Sequence, residues 1–364
     1  MSDSLLTTPL DALHRRLGAR MVPFAGYAMP VQYTGIIAEH THTRSAASLF
    51  DVSHMGQAKL TGAGAAAALE RLVPGDIAGL KPFRQRYTLL TTEAGTIIDD
   101  LMVSTVPEGL FLIVNASRKG VDLPHIAAGL PAGVALTPLP DRALLALQGP
   151  QAAAVMARLA PAVAALPFMA LAEAEIAGQK CLVSRSGYTG EDGFEISVAG
   201  DAAEALAEAL LAEPEVAPAG LGARDSLRLE AGLCLWGNDI DETTNAIEAG
   251  LSWTIGKRRR IDWAFAGGEA LHEAIARGPA RKRVGILPEG RAPARQGTEI
   301  HADGRKIGQV TSGGFGPTLG APVAMGYVEA AFAEIGTNLS LMVRGQALPA
   351  RVAAMPFVPH RYPR

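Results

Sequence analysis

The sequence predicts a mixed α/β protein of two related halves, followed by a separate β-rich domain. Three observations predict it. Helix-period and strand-period segments interleave through residues 1–280. A strand–turn–helix pattern at residues 60–74 recurs at 147–161. From about residue 281 the chain changes to short β-rich segments with glycine turns, the pattern of a barrel or sandwich.

Composition narrows the function classes. With 364 residues, 48% hydrophobic and 19% charged, the chain is globular and long enough for two or three domains. A net charge of −3 argues against a general nucleic-acid binder. The apolar runs are short and interrupted, so no membrane span is expected. No charged segment leads into an apolar run at the start, and a helix-like pattern begins by residue 9, so neither a secretory signal nor an organelle presequence is expected. Cys181 and Cys234 lack partners at metal-ligand spacing and read as free core thiols in a reducing cytoplasm.

In chain order, Thr8-Pro9 reads as a capped helix start, with Leu10, Leu13 and Leu17 on one face and Gly18 at the end. Residues 22–34, rich in proline and aromatics, read as strand and loop, and 36–47 as a helix. Asp51, Ser53 and His54 do not make a triad, because Ser53 and His54 are strand neighbours facing opposite ways. His40 and His42 have no third ligand in view. Gly62-Ala63-Gly64 mimics a dinucleotide fingerprint, but Gly62 recurs as Gly149 whereas Gly64 becomes Gln151. The shared glycine is therefore turn chemistry, and a dinucleotide site is not expected. Pro82-Phe83 recurs as Pro167-Phe168. A weaker overlay of 95–103 on 190–198 sets Asp100 opposite Glu195, and predicts one strand-borne carboxylate from each half in a shared cleft.

Residues 97–103 are apolar on both faces, so Asp99 and Asp100 point apart, each a lone carboxylate in apolar surroundings. Such a place favours an acid/base role; capping of backbone N–H groups is the reading for Asp99. At 186–196, Gly187, Gly190 and Gly193 mark a tight turn, and Phe194, Ile196 and Val198 alternate with Glu195. Glu195 is thus turned away from the core at the mouth of the turn, beside Tyr188. Its two oxygens suit a planar ligand edge with two adjacent N–H groups; an exposed hairpin Glu is the alternative. Asp201 and Glu204 have capping-box spacing for a helix to about 213. Another helix covers about 220–231, with Arg224 and Arg228 one turn apart and Asp225 and Glu230 as candidate partners. Residues 236–248 read as a loop near the site. Lys257-Arg258-Arg259-Arg260 reads as a solvated face or a surface for an acidic protein partner. Asp303-Gly304 marks a hairpin, Ser312-Gly313-Gly314 a second turn, and 323–328 and 339–343 further strands.

Laid out in this order, the chain resembles the aminomethyltransferase (T-protein) family of the glycine cleavage system. The resemblance rests on Phe50-Asp-Val-Ser-His-Met55, Ile98-Asp-Asp-Leu101, Leu147-Gln-Gly-Pro150, Gly187-Tyr-Thr-Gly-Glu-Asp-Gly193, Ala223-Arg-Asp-Ser-Leu-Arg-Leu-Glu-Ala-Gly232, Gly237-Asn-Asp-Ile-Asp241, Gly256-Lys-Arg-Arg-Arg260, Thr311-Ser-Gly313 and Met355-Pro-Phe-Val-Pro359. It implies two intertwined, pseudo-symmetric α/β domains around a central folate cleft, with copies near 55–140 and 141–235 inside a 1–280 region. A C-terminal β-barrel over 281–364 completes the chain. It implies transfer of a one-carbon unit from an aminomethyl group on the lipoyl arm of H-protein to tetrahydrofolate, a co-substrate, with neither metal nor flavin. The products are 5,10-methylenetetrahydrofolate, ammonia and dihydrolipoyl H-protein. By family position Asp100 is the catalytic carboxylate, Glu195 grips the pterin edge, and Arg224 and Tyr362 contact the folate. Met55, Tyr87, Val114, Asn115, Tyr188, Trp253 and Arg283 line the cleft. A folate-dependent demethylase of a small methylated compound, or a non-catalytic folate-binding protein, are the alternatives on this scaffold.

Overall fold

The structure is a computed structural model and describes residues 5–363. The chain begins with helix α1 (Asp11–Arg16), a hairpin of β1 (Arg20–Phe24) and β2 (Tyr27–Gln32), helix α2 (Ile36–Ser45) and strand β3 (Ala47–Asp51). Thr8 is not the cap expected of it. Its hydroxyl donates instead to buried Asp51, 2.6 Å away. Leu10 and Leu13 enter the core, but Leu17, at the C-terminal end of the helix, is 42% exposed.

The first half follows with β4 (Gly56–Thr61), α3 (Ala65–Leu69), β5 (Gln85–Thr91), β6 (Ile97–Val106), β7 (Gly109–Val114), α4 (Lys119–Ala128) and β8 (Ala135–Pro138). Its strands form an antiparallel sheet in the order β5-β6-β7-β4-β8. The second half is β9 (Arg142–Gln148), α5 (Ala152–Leu159), α6 (Pro161–Ala164), β10 (Leu171–Ile176), β11 (Gln179–Ser184), β12 (Gly193–Ala199), α7 (Ala203–Leu211) and β13 (Val216–Pro218). Its sheet runs β10-β11-β12-β9-β3-β13. The four leading strands of the two sheets therefore match in order. β3 precedes the first half in sequence yet completes the second sheet, which is what intertwines them.

The repeated glycine has a steric cause. Gly62 and Gly149 have φ of 113° and 136°. A Cβ on either would lie 2.1 Å from the Gly133 carbonyl oxygen or 2.2 Å from that of Ala46. Both turns let a second backbone segment pass at contact distance, so only glycine fits. After each repeated Pro-Phe the halves join reciprocally: Gln85 N–H donates to Met169 O (2.9 Å) and Leu171 N–H to Phe83 O (3.1 Å).

One expectation from the repeat fails. β6, carrying Asp100, is second in its sheet and is matched by β11. Glu195 lies on β12, third in its sheet and matched by β7. The two carboxylates are therefore not repeat equivalents. The overlay followed side-chain pattern along the chain, whereas equivalence is set by strand order.

Helix α8 (Leu221–Glu230), α9 (Arg259–Asp262) and α10 (Gly268–Arg277) lead to the barrel. The capping box before α7 does not form; Glu204 pairs with Arg16 at 2.7 Å instead. The basic run is also not a free face. Arg258 binds Glu70 and Asp76, and Arg259, only 3% exposed, donates to the carbonyls of Glu70 (2.8 Å) and Ala264 (2.7 Å). Arg260 donates to the Ser252 and Ile255 carbonyls. Arg258 and Arg259 thus clip the loop to the first half, and Arg260 braces the loop itself.

Strands β14 (Arg281–Pro288), β15 (Glu299–Ala302), β16 (Arg305–Gly316), β17 (Ala321–Glu329), β18 (Asn338–Val343) and β19 (Gln346–Ala353) close as a barrel, β14-β17-β16-β15-β18-β19. Asp303 and Gly304 have φ of 50° and 75°, the left-handed pair a tight hairpin needs. Ser312-Gly313-Gly314 is not a turn. It lies inside β16, where a Gly313 Cβ would sit 2.1 Å from Ala294 O.

Candidate active site

A cavity of about 1310 Å³ opens where the two sheets, α8, the loop after it, the barrel and the C-terminal segment meet. The β12 wall follows from alternation. Phe194, Ile196 and Val198 are fully buried in the second half's core, so Glu195 faces the cavity. The Ser186 hydroxyl donates to Glu195 Oε2 at 2.9 Å. Gly187 lines the cavity, and two glycines of this turn also make room for a protein side chain. A Cβ on Gly187 would fall 1.8 Å from Gln148 Oε1, and one on Gly193 would fall 2.4 Å from Gln148 Nε2. Gln148 donates to Ser186 O (2.9 Å) and accepts from the Thr189 hydroxyl (2.8 Å), pinning the loop that presents Glu195.

Arg224 reaches the same cavity from α8, its guanidinium 4.8 Å from the centre of the Tyr188 ring. The Tyr188 hydroxyl donates to the Cys234 carbonyl, which fixes the ring. Burial draws the Arg224 pKa below its ordinary value, and the nearby Glu195 charge resists. Arg224 Nη1 is buried without a hydrogen-bond partner. Its neighbour Arg228 is fully spent: it binds Asp239 at 2.7 Å, Ser312 at 2.9 Å and Asp225 at 2.8 Å. Glu230 does not answer either arginine on α8, but pairs with Arg44 at 3.0 Å.

The β6 wall is of another kind. Asp100 faces the cavity, and Asp99, on the opposite face, is fully buried. The Asn115 side-chain amide donates to Asp100 Oδ1 (2.8 Å) and to Asp99 Oδ1 (2.9 Å). The two carboxyls are therefore not isolated, as the strand pattern alone suggested. Burial, and then the Asp99 charge, push the Asp100 pKa up to about 7 against the hydrogen bonds of Tyr87 and Asn115. Asp99 is pushed up to about 9 by burial and by Asp122 on α4. Asp99 does not act as a simple backbone cap; its one backbone donor, Asn115 N–H, is 3.4 Å away.

The remaining candidates divide. Tyr87 stacks on Trp253, ring centres 5.5 Å apart, and Trp253 is 62% exposed at the rim. Tyr362 stacks flat on Phe168 at 4.3 Å. Met55 lines the cavity beside His54, whose imidazole is held at about 4 by burial. Arg283 also lines it, but its donors go to the Ala249 and Gly232 carbonyls, so it holds backbone. Val114 does not line the cavity. Ile113 on β7 and Asn115 just after it face it, and the two-residue period turns Val114 into the first half's core. Ser186, Gln148 and Phe168 were missed as site residues. Ser186 read as turn and Phe168 as repeat; only the Leu-Gln-Gly-Pro motif pointed at Gln148. The rejected triad stays rejected: Ser53 donates to Leu144 O, and Asp51 binds His14 at 2.8 Å.

Among the described residues there is no group of three His, Cys, Asp or Glu side chains suited to a metal ion, and no helix is long and apolar enough to cross a membrane. Comparison with known proteins gives a consistent result. Residues 10–259 match the family described as GCVT N-terminal domain, and residues 281–359 that described as glycine cleavage T-protein C-terminal barrel domain. A mitochondrial aminomethyltransferase of Gallus gallus is 48% identical over 99% of this chain and 94% of its own. That of Mus musculus is 46% identical over 100% and 92%. The crystal structure of glycine cleavage system aminomethyltransferase T from Bartonella henselae superposes with a TM-score of 0.95 at 44% identity, covering 99% of this chain and 100% of that one.

Proposed function

The chain belongs to the glycine cleavage T-protein family and is an aminomethyltransferase; from that premise we propose how its cavity divides the work. It moves the one-carbon unit of an aminomethyl group to tetrahydrofolate, and in our reading the donor is the lipoyl arm of an H-protein. Relatives named as aminomethyltransferases over the full chain displace the demethylase and non-catalytic alternatives. The fit to folate is supported by two groups with capacity to spare: the Glu195 carboxylate, held by Ser186 on one oxygen, and Arg224, with a buried unpartnered Nη1. Glu195 would accept the adjacent N–H groups of the pterin as a bidentate pair, and Arg224 would donate to a polar atom beside it. Tyr188, Tyr362 and Met55 would supply flat and apolar walls, while Arg283 and Trp253 shape the far side.

Tetrahydrofolate, when bound, supplies the two nitrogens that capture the carbon. Asp100 would take up a proton released by a folate nitrogen and pass it to the departing amine, while the proton of the second folate nitrogen goes to the lipoyl sulfur as its bond to the carbon breaks. A carboxyl with a pKa of about 7 holds and releases that proton with equal ease at neutral pH. Asn115 and Tyr87 fix the carboxyl's orientation. The observation that carries the reading is the presence in one cavity of the Asp100 carboxyl from one sheet, the Glu195 carboxylate from the other and the unpartnered Arg224 guanidinium from α8.

Turnover with tetrahydrofolate and aminomethyl-loaded H-protein, read as ammonia release, tests it; no ammonia above the rate without enzyme would sink it. Free, buried Cys181 and Cys234 support a reducing compartment, for which we propose the cytoplasm, whereas the relatives above are named as mitochondrial. Cell fractionation decides the compartment. The 1–280 region is proposed as the folate-binding unit and 281–364 as the barrel domain that closes it.

A further inference from the structure

Beyond the barrel, residues 354–363 run back over the cavity, where Met355, Pro356, His360 and Tyr362 line it. Three hydrogen bonds lay this segment between α8 and the turn that leads to Glu195. The Val358 N–H donates to Glu230 O at 3.0 Å, and the Arg361 N–H to Gly190 O at 2.8 Å. The His360 imidazole donates through Nε2 to Ala231 O at 2.8 Å. A charged contact follows in the same direction. Arg361 Nη2 lies 2.9 Å from Glu191 Oε1, and that oxygen also accepts from Arg44 Nη1 at 2.8 Å. Glu191 is 1% exposed and its Oε2 has no hydrogen-bond partner, so the carboxylate meets both guanidiniums through one oxygen. Arg44 is also held by Thr189 O (2.9 Å) and Glu230 (3.0 Å). One buried carboxylate thus joins α2, the turn before β12 and the C-terminal segment.

The residue held in place is Tyr362. Its ring stacks on Phe168 with centres 4.3 Å apart and planes 9° from parallel. Phe83, the repeat counterpart of Phe168, is left 39% exposed. The C-terminal segment therefore makes a cavity wall of one Pro-Phe corner out of two. We propose that Arg361 is a positioning residue: through Glu191 it clamps this segment onto the Gly190 turn, and so holds Tyr362 against Phe168 in the wall of the cavity. The inference rests on the folate contact given to Tyr362 above. The Arg361 side chain is 47% exposed and Glu191 keeps Arg44, so losing the clamp loosens the segment without stranding a buried charge.

The test uses the full chain and reads the clamp and the ligand separately. Amide hydrogen exchange at Val358 and at residue 361, without folate, reads the clamp. Both should exchange faster in Arg361→Ala and near the parent's rate in Arg361→Lys, which keeps the charge. Unchanged exchange in Arg361→Ala overturns the proposal. Calorimetric titration with tetrahydrofolate reads the wall. Arg361→Ala should weaken binding about five-fold, the upper worth of a part-exposed ion pair, with kcat at saturating tetrahydrofolate within about two-fold of the parent's. Arg361→Lys should restore most of that affinity. Tyr362→Ala should weaken binding at least as much, and adding Arg361→Ala to it should change little, because the clamp acts through that ring. Losses that add in the double variant, or a fall in kcat with affinity unmoved, overturn the proposal. Parent-like folate binding by Tyr362→Ala, beside faster exchange in Arg361→Ala, would instead remove the folate contact of Tyr362 and leave the clamp standing.

Discussion

The two walls of the cavity place a carboxylate by the same device, strand alternation, and then surround it differently. On β12, Glu195 has a hydroxyl from Ser186 and a guanidinium from Arg224 nearby. On β6, Asp100 has a second carboxyl, Asp99, behind it and a third, Asp122, behind that. A carboxylate beside a cation is ready to grip; a carboxyl crowded by its own kind is ready to trade a proton. The difference teaches that a duplicated framework need not duplicate its chemistry. The strands β6 and β12 are not equivalents, and each half presents a carboxylate with different surroundings from a different place in its sheet.

The largest expected effect is on the proton-trading side. Asp100→Asn keeps the shape but cannot exchange a proton, so ammonia release should fall by about 10²–10⁴ while folate binding stays near the parent's. Full activity would make that wall a bystander. On the gripping side, Glu195→Ala should weaken tetrahydrofolate by about 1.5–3 kcal/mol, the worth of a lost charged hydrogen bond. Calorimetric titration reads this, and unchanged affinity moves the pterin elsewhere.

Stability sharpens the contrast. The Asp100 pKa is raised on folding, so the folded protein binds the proton more tightly than the unfolded chain. Its contribution to stability is therefore lost as pH rises from about 4 to about 7. Asp100→Asn should then be more stable than the parent above about pH 8, by about 1–3 kcal/mol, with the difference vanishing below about pH 4. Denaturant melts at the two pH values measure it; equal gains at both would mean the stabilisation is not electrostatic. The smallest effect belongs to the basic run. Arg258 is part-exposed and paired with Glu70 and Asp76, so Arg258→Glu should cost about 1 kcal/mol of stability. The apparent KM for loaded H-protein should hardly move. A several-fold rise in that KM, relieved by salt-matched controls, would restore the run as a docking face.

Much of this was legible from local pattern. Gly62 and Gly149 announced the repeat, and parity along β6 and β12 assigned Asp100 and Glu195 their faces. The same parity rule rejects Val114, which entered by resemblance alone. What stayed hidden depended on partners distant in sequence. Arg258 and Arg259 look like a solvated run because Glu70 and Asp76 stand far back along the chain. Asp99 looked like a solitary carboxyl because Asn115 and Asp122 reach it from the next strand and a helix. Nothing in the Gly187 turn's own sequence shows that Gln148 packs behind it.

The division between the walls is tested most directly by the pH dependence of kcat/KM for tetrahydrofolate, measured side by side for the parent and Glu195→Gln. The account predicts a midpoint near 7 in both, set by Asp100, with the Glu195→Gln profile lowered by a constant factor at every pH. A midpoint that shifts with Glu195, or a profile flat through neutrality, would contradict it.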